Sequence, residues 1–203
     1  EDLPELIDSM QEGTERIAEI SRSMRTFSRS DTASKVPFNI HDGINSTMTI
    51  LKHRLKANQN SPEIQLVKNY GDLPEVQCYP GQLNQVFMNL TANAIDALEE
   101  LNLERNYQEI KDNPNCITIT TEAVENGSWV AIKIKDNGRG MSEEVKQKVF
   151  ENLFTTKPPG KGTGLGLSIS RSIVVEKHGG RLTCVSEAGK GAEFIIEIPI
   201  NGV

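Results

Sequence analysis

Between Pro80 and Leu101 two residue series run at helical spacing. Leu83, Phe87, Leu90, Ala94, Leu98 and Leu101 recur at three and four, and so do Gln82, Gln85, Asn89, Asn93, Asp96 and Glu100. On one helix these are two continuous stripes, one apolar and one amide or acid, about 100° apart. Pro80 stands where such a helix begins. The apolar stripe asks for a core. Amides are poor formers of helix interiors, so two that face the same way, Asn89 and Asn93, need a reason.

The flanking sequence supplies the rest of a layered fold. Residues 1 to about 29 carry Leu3, Leu6, Ile7, Met10, Ile17, Ile20, Met24 and Phe27 at spacings of three, four and seven, the pattern of an amphipathic helix. A stripe that long wants a partner, either the chain's own core or a bundle seam with a second chain. A polar linker over 30–35 follows. Short strands are predicted over Val36 to Ile40, Ile64 to Tyr70 and Glu75 to Tyr79, and a helix over Asp42 to Ala57. The stretch from Asn102 to Asn115 is polar and has no readable pattern. Cys116 to Val124 and Trp129 to Asp136 read as antiparallel strands joined at Asn126-Gly127. Ser142 can cap a short helix. Phe150 to Gly164 reads as a loop, Gly166 to His178 as a helix ended by Gly179-Gly180, and Arg181 to Glu187 with Ala192 to Ile200 as a closing hairpin. The expected class is α+β, a two-layer sandwich with helices on one face of a mixed, mostly antiparallel sheet, preceded by one long helix.

Composition excludes several functions. The 203 residues carry 22 Lys+Arg against 28 Asp+Glu, a net charge of -6, which argues against a general phosphate-backbone binder. No apolar run approaches the roughly 20 residues that cross a bilayer, and no signal peptide opens the chain. Cys78, Cys116 and Cys184 form no CxxC pair, so no zinc site or disulfide framework is indicated. The reading is therefore cytoplasmic, with no nucleic acid partner and no direct membrane contact. Because the chain opens on Glu1, it reads as a piece of something longer.

Three stretches carry chemistry. The oxygens of Asn89 and Asn93 can ligate a hard cation such as Mg2+ without adding negative charge beside a triphosphate. Asp136 continues the even register of Val130, Ile132 and Ile134, so its carboxylate points to the apolar side and must find donors. The exocyclic amine of adenine is one; guanine presents a carbonyl there and leaves the acid unpaired. Gly138 and Gly140 let backbone approach a flat ring. The third stretch is Gly160-Lys-Gly-Thr-Gly-Leu-Gly-Leu167, glycine backbone leading into a helix, which suits an anion. It is not a P-loop, since Thr155 stands where the first glycine belongs and Gly162 follows Lys161. Nor is it the dinucleotide GxGxxG, whose last position falls on Leu165 or Leu167. Taken singly, a solvated helix face, a hairpin turn and a flexible loop would serve as well.

Their order resembles the catalytic ATP-binding domain of sensor histidine kinases, in the superfamily shared with gyrase, Hsp90 and MutL. Asn89-Leu-Thr-Ala-Asn93-Ala-Ile-Asp96-Ala97 resembles the N box, Asp136 to Gly140 the first glycine box, Phe150 to Lys157 the F box and Gly160 to Leu167 the second glycine box. The resemblance covers residues 36–203 as one catalytic domain, with 1–29 similar to the second helix of the dimerisation hairpin. It implies ATP and Mg2+ as cofactors, with Asp136 on the adenine amine and Gly138, Gly140 and Met141 beside the ring. Asn93 is the implied metal ligand, with Asn89 as a second; Asp96 stands where many relatives carry a basic or small residue, and either helps hold the metal's water shell or faces solvent. Residues 150–164 are the implied lid; Phe154, Thr156, Thr163 and Leu165 would contact ATP, and Lys157, Lys161 and the amides near Gly162, Gly164 and Gly166 would meet the phosphates. The implied partners are the chain's own hairpin and a second subunit through residues 1–29, and a response regulator receiver domain.

One departure matters. The family's acceptor histidine sits in a box like Ser-His-Glu-Leu-Arg-Thr-Pro, and no such box occurs here. His41 is followed by Asp42, but Gly43 comes next and no proline closes the motif, so capping of a helix N-terminus suits it better. His53 reads as helix surface. His178 reads as a helix C-terminus, where an imidazolium is mildly favoured. The expectation is a fragment that binds ATP but does not phosphorylate itself at the usual site. Two other readings are a nucleotide-gated, anti-sigma-like binding module and an ATPase clamp. The clamp needs a glutamate to activate water where this chain has Gln85 and Asn89.

Overall fold

In the computed structural model, residues 34–57, 61–158 and 162–201 are described. The helix expected over 1–29 lies outside them. The chain starts with β1 (Val36–Phe38) and α1 (Ile40–Leu55). Asn39 caps α1 by accepting the His41 N–H at 2.9 Å, so the cap is the residue before His41's own turn and not His41. Next come β2 (Gln65–Tyr70), β3 (Val76–Cys78) and α2 (Pro80–Asn102), the helix of the two stripes. Its apolar stripe is buried as expected: Leu83, Phe87, Leu90 and Leu98 are all inaccessible.

The unreadable stretch holds a six-residue helix, α3 (Tyr107–Asp112). It forms because Asn106 and Glu109 make a reciprocal capping box: Asn106 Oδ1 accepts the Glu109 N–H at 3.0 Å, and Glu109 Oε2 accepts the Asn106 N–H at 2.7 Å. Then follow β4 (Cys116–Val124) and β5 (Trp129–Asp136), with the bounds the sequence predicts. The turn between them uses left-handed backbone at Asn126 and Gly127. After α4 (Glu143–Lys148) comes α5 (Gly166–Ser172), which continues as a π turn over Ile173–Lys177. The fold closes with β6 (Arg181–Ser186) and β7 (Ala192–Pro199).

The main sheet has the order β2-β4-β5-β7-β6, and β1 with β3 forms a separate antiparallel pair. β4, β5, β7 and β6 pair antiparallel, but β2 runs parallel to β4. A parallel pair needs a long crossover, and the segment holding α2 provides it. Ile117, Ile119, Ile132, Ile134, Ile196 and Ile198 bury one face of the sheet in a common core with Ile44, Met48 and Leu51 of α1 and the apolar stripe of α2. The opposite face carries Lys133, paired with Glu122 at 2.6 Å. Helices thus cover one face. They bring the amide stripe of α2 to the end of β5 where Asp136 sits.

His178 departs from its expected role. It does end the last helix, but it is only 2% exposed. Its Nε2 accepts the Tyr79 N–H at 3.0 Å, so Nδ1 carries the proton and donates to Ile173 O at 2.8 Å. Burial pushes its pKa down. It is a neutral side chain that joins the π turn to the start of α2, not an imidazolium.

Candidate functional site

A cavity of about 400 Å3 opens between α2, the end of β5 and the stretches 154–157 and 162–167. Asp136 lies at its floor, 3% exposed. Its Oδ1 accepts the Gly138 N–H at 2.9 Å and the Ala192 N–H at 3.4 Å. Burial pushes its carboxyl above the ordinary carboxylate range, and the backbone N–H groups oppose that only in part. A buried acid with so few donors is suited to a ligand that brings another.

Glycines let the backbone close around this acid. Gly140 has φ 65°, and a Cβ there would stand 2.0 Å from Glu187 O, so no side chain fits. A Cβ on Gly138 would stand 2.8 Å from Asp136 Oδ1. Gly140 and Met141 line the cavity; Gly138 supports Asp136 from behind and does not. Met141 N donates to Ser186 Oγ at 2.9 Å, which fixes the segment to β6.

The amide stripe forms the facing wall. Asn89 Nδ2 donates to Gly166 O at 3.0 Å and Ser170 Oγ at 3.3 Å, so this amide anchors α5 to α2. Its oxygen remains an acceptor beside Asn93. Asn93 Oδ1 already meets a cation, the Lys157 ammonium at 3.3 Å. Asp96 lies one turn on and does not line the cavity; it pairs with Lys157 and with Arg54. Among the described residues no cluster of three or more His, Cys, Asp or Glu could hold a metal. A neutral amide oxygen or two is what Mg2+ needs when phosphates and water supply its other ligands.

The glycine segment packs against the F-box stretch. Gly164, at φ 66°, leaves no room for a Cβ, which would meet the Leu153 carbonyl carbon at 2.4 Å. A Cβ on Gly162 would meet Thr155 Oγ1 at 2.6 Å. Phe154, Thr156, Lys157, Gly162, Thr163, Gly164 and Gly166 all line the cavity; Leu165 does not and is 38% exposed. Lys161 lies outside the described residues.

Sequence reasoning missed several lining residues, among them Ala97, Arg139, Val145, Val149, Ala192 and Phe194. Ala97 stands four residues after Asn93, so helical spacing could have found it. Arg139, inside the first glycine box, ties the site to the end of α2 through Glu100 O at 3.2 Å and Glu104 Oε1 at 3.1 Å. Ala192 and Phe194 come from the last strand, and only the pairing of Phe194 with Ile134 brings them here.

The fold and the pocket together define an ATP-binding domain of the two-layer sandwich kind. The chain belongs to the family of histidine kinase-, DNA gyrase B-, and HSP90-like ATPases, which matches residues 78–202. It is 36% identical over 157 residues to the sensor histidine kinase ZraS of Escherichia coli (strain K12), covering 75% of this chain and 30% of that protein. The chain thus spans about a third of the length of that relative. Among solved structures it resembles the nucleotide-free catalytic domain of the histidine kinase ThkA, with TM-score 0.65 and 28% identity over 82% of this chain and 96% of that one. The fold also matches ThkA solved in complex with the response regulator protein TrrA, with TM-score 0.62 and 23% identity over 99% of this chain and 52% of that one.

Proposed function

We propose that the cavity binds ATP with Mg2+ and presents the γ-phosphate to a histidine on a dimerisation hairpin, from which it passes to an aspartate of a response regulator receiver domain. The observation that carries this reading is the buried Asp136, short of donors, at the floor of a pocket whose far wall is amide and lysine. Asp136 accepts a hydrogen bond from the adenine amine, and Gly140 and Met141 flank the base. Asn93, with Asn89 as the second candidate, offers amide oxygen to the metal. Thr156, Lys157, Lys161 and backbone around Gly162, Gly164 and Gly166 surround the phosphates. Mg2+ supplies charge neutralisation on the phosphate oxygens.

Phosphoryl transfer asks a protein mainly for position and charge neutralisation. The acceptor imidazole nitrogen forms the new P–N bond as the bond to the β-phosphate oxygen breaks, and ADP leaves with that electron pair. None of the three histidines in the sequence is placed for this. His41 stacks on Tyr70 at 4.3 Å with Nε2 on Thr121 Oγ1, His53 lies exposed near Ile50 O, and His178 is buried. The hairpin reading of residues 1–29 rests on the family resemblance, and a second subunit docked there is one of the two partners that the amphipathic stripe allows. The regulator partner follows from the likeness to ThkA, which forms such a complex.

Calorimetric titration with ATP, ADP and GTP in Mg2+ tests the nucleotide reading. ATP and ADP should bind and GTP should not. Asp136→Asn should weaken ATP binding by about 5–150-fold, the cost of an unmade buried hydrogen bond. Equal binding of ATP and GTP would show that Asp136 does not read the base.

A further inference from the structure

The mouth of the cavity holds a chain of ion pairs that begins outside it. Arg54, on α1, donates from Nη2 to Asp96 Oδ1 and to Glu99 Oε2, both at 2.6 Å. Asp96 Oδ2 accepts from Lys157 Nζ. The same Nζ lies 3.3 Å from Asn93 Oδ1. The side chains of Arg54, Asp96 and Lys157 are 25%, 28% and 23% exposed, so water screens these pairs only in part. Burial works against the charge on Asp96, but hydrogen bonds from Lys157 and Arg54 outweigh it and hold the carboxyl below its usual range.

We propose that Asp96, anchored by Arg54, parks the Lys157 ammonium on Asn93 in the nucleotide-free protein, and that nucleotide binding exchanges this lysine from Asp96 to the phosphates. This rests on the nucleotide reading of the pocket. Asp96 is then a positioning residue that acts through Lys157. The parked ammonium sits between an amide oxygen and a carboxylate oxygen, the kind of donors a hard cation takes. It is a lysine standing on the oxygen assigned to the metal. A metal ion arriving on that oxygen repels the nearby ammonium, and the phosphates it brings offer Nζ a stronger partner than Asn93, which favours its transfer. The flexible four-carbon stem lets the head group move without its backbone.

The exchange makes Asp96 a competitor of the phosphates. Apparent affinity falls by the fraction of molecules whose lysine is free. The penalty touches only ligands that recruit Lys157, so it separates ATP from adenosine.

Asp96→Asn keeps the side-chain shape and leaves Arg54 its Glu99 partner. The first measurement uses no nucleotide: the rate at which Lys157 is acetylated by an N-hydroxysuccinimide acetate ester, followed by mass spectrometry, with the exposed Lys148 as reference. Asp96→Asn should speed labelling of Lys157 about fivefold, the size of a partly screened ion pair. The second is calorimetry with ATP and with adenosine, in Mg2+, on the wild type, Asp96→Asn, Lys157→Met and the double variant. Asp96→Asn should tighten ATP about fivefold, leave adenosine unchanged, and have no effect once Lys157 is Met.

Equal labelling rates would overturn the parked lysine. The same tightening in the Lys157→Met background would overturn the exchange, because plain repulsion between Asp96 and phosphate would then account for it. A wild type that bound no ATP would sink the reading of the pocket itself, while the labelling rates still reported on the pair.

Discussion

Two buried titratable residues contribute to the behaviour of this domain with pH in opposite senses. His178 is held neutral, with its pKa lowered by burial. The folded state therefore binds fewer protons than the unfolded state, whose histidine titrates near pH 6.5. The stability it contributes is present above that pH and is lost as pH falls through it, with a slope of up to about 1.4 kcal/mol per pH unit. Urea melts between pH 7.5 and 5.5 should show this loss, and His178→Gln should be less stable at pH 7.5 with a flatter profile. Asp136 is the reverse case. Its folded pKa is raised by burial, so ionising it costs stability as pH rises past the unfolded value near 4. Asp136→Asn should therefore melt no lower than wild type at pH 7 without nucleotide, although it loses the base. A clear drop in Tm would mean that the carboxylate is structural. Asp136 was legible in the sequence because the strand's alternation fixes which way it points. The neutral state of His178 was not, because its donor, Tyr79 N–H, lies 99 residues away.

Elements were legible where local pattern and final packing agree. β4 and β5 were, since the alternation of Ile117 and Ile119 and of Ile132 and Ile134 survives burial. The two stripes of α2 were, because both kept a use: one in the core, the other on the cavity. α3 was not, because its six residues offer one buried side chain, Ile110, and no periodicity. Its only signal was Asn106 with Glu109 three residues on, the spacing of a capping box. That box makes a prediction. Asn106→Ala should cost about 1 kcal/mol of stability and, since α3 does not line the cavity, leave ATP affinity unchanged; urea denaturation and calorimetry check the two halves. The parallel pairing of β2 with β4 was hidden for another reason. Pairing partners more than 40 residues apart leave no mark in a window of sequence.

At the scale of the whole molecule, the cavity is built from segments that meet only in the finished fold: α2, the end of β5, the stretches 154–157 and 162–167, and β7. A ligand that binds all of them binds only the folded state. At a hundredfold excess over Kd, ATP should add about 2.7 kcal/mol of stability. For a chain of this size that raises Tm by about 5–10 °C. Thermal melts with ATP and Mg2+ should show the shift in wild type and a smaller one in Asp136→Asn.

The small strand β3 holds both ends of this unit together. It pairs with β1 on one side, and its Gln77 N–H donates to Ile200 O at 2.8 Å on the other. Where the domain starts and where it finishes are thus neighbours in space although distant along the chain. Such a body lends itself to circular permutation: a short peptide could join residue 201 to residue 34, and new ends could be opened at the Glu125–Gly127 turn, without crossing the sheet or touching the cavity. It also follows that covalent attachments at either end would reach the body at one place, like a door hung on a single post.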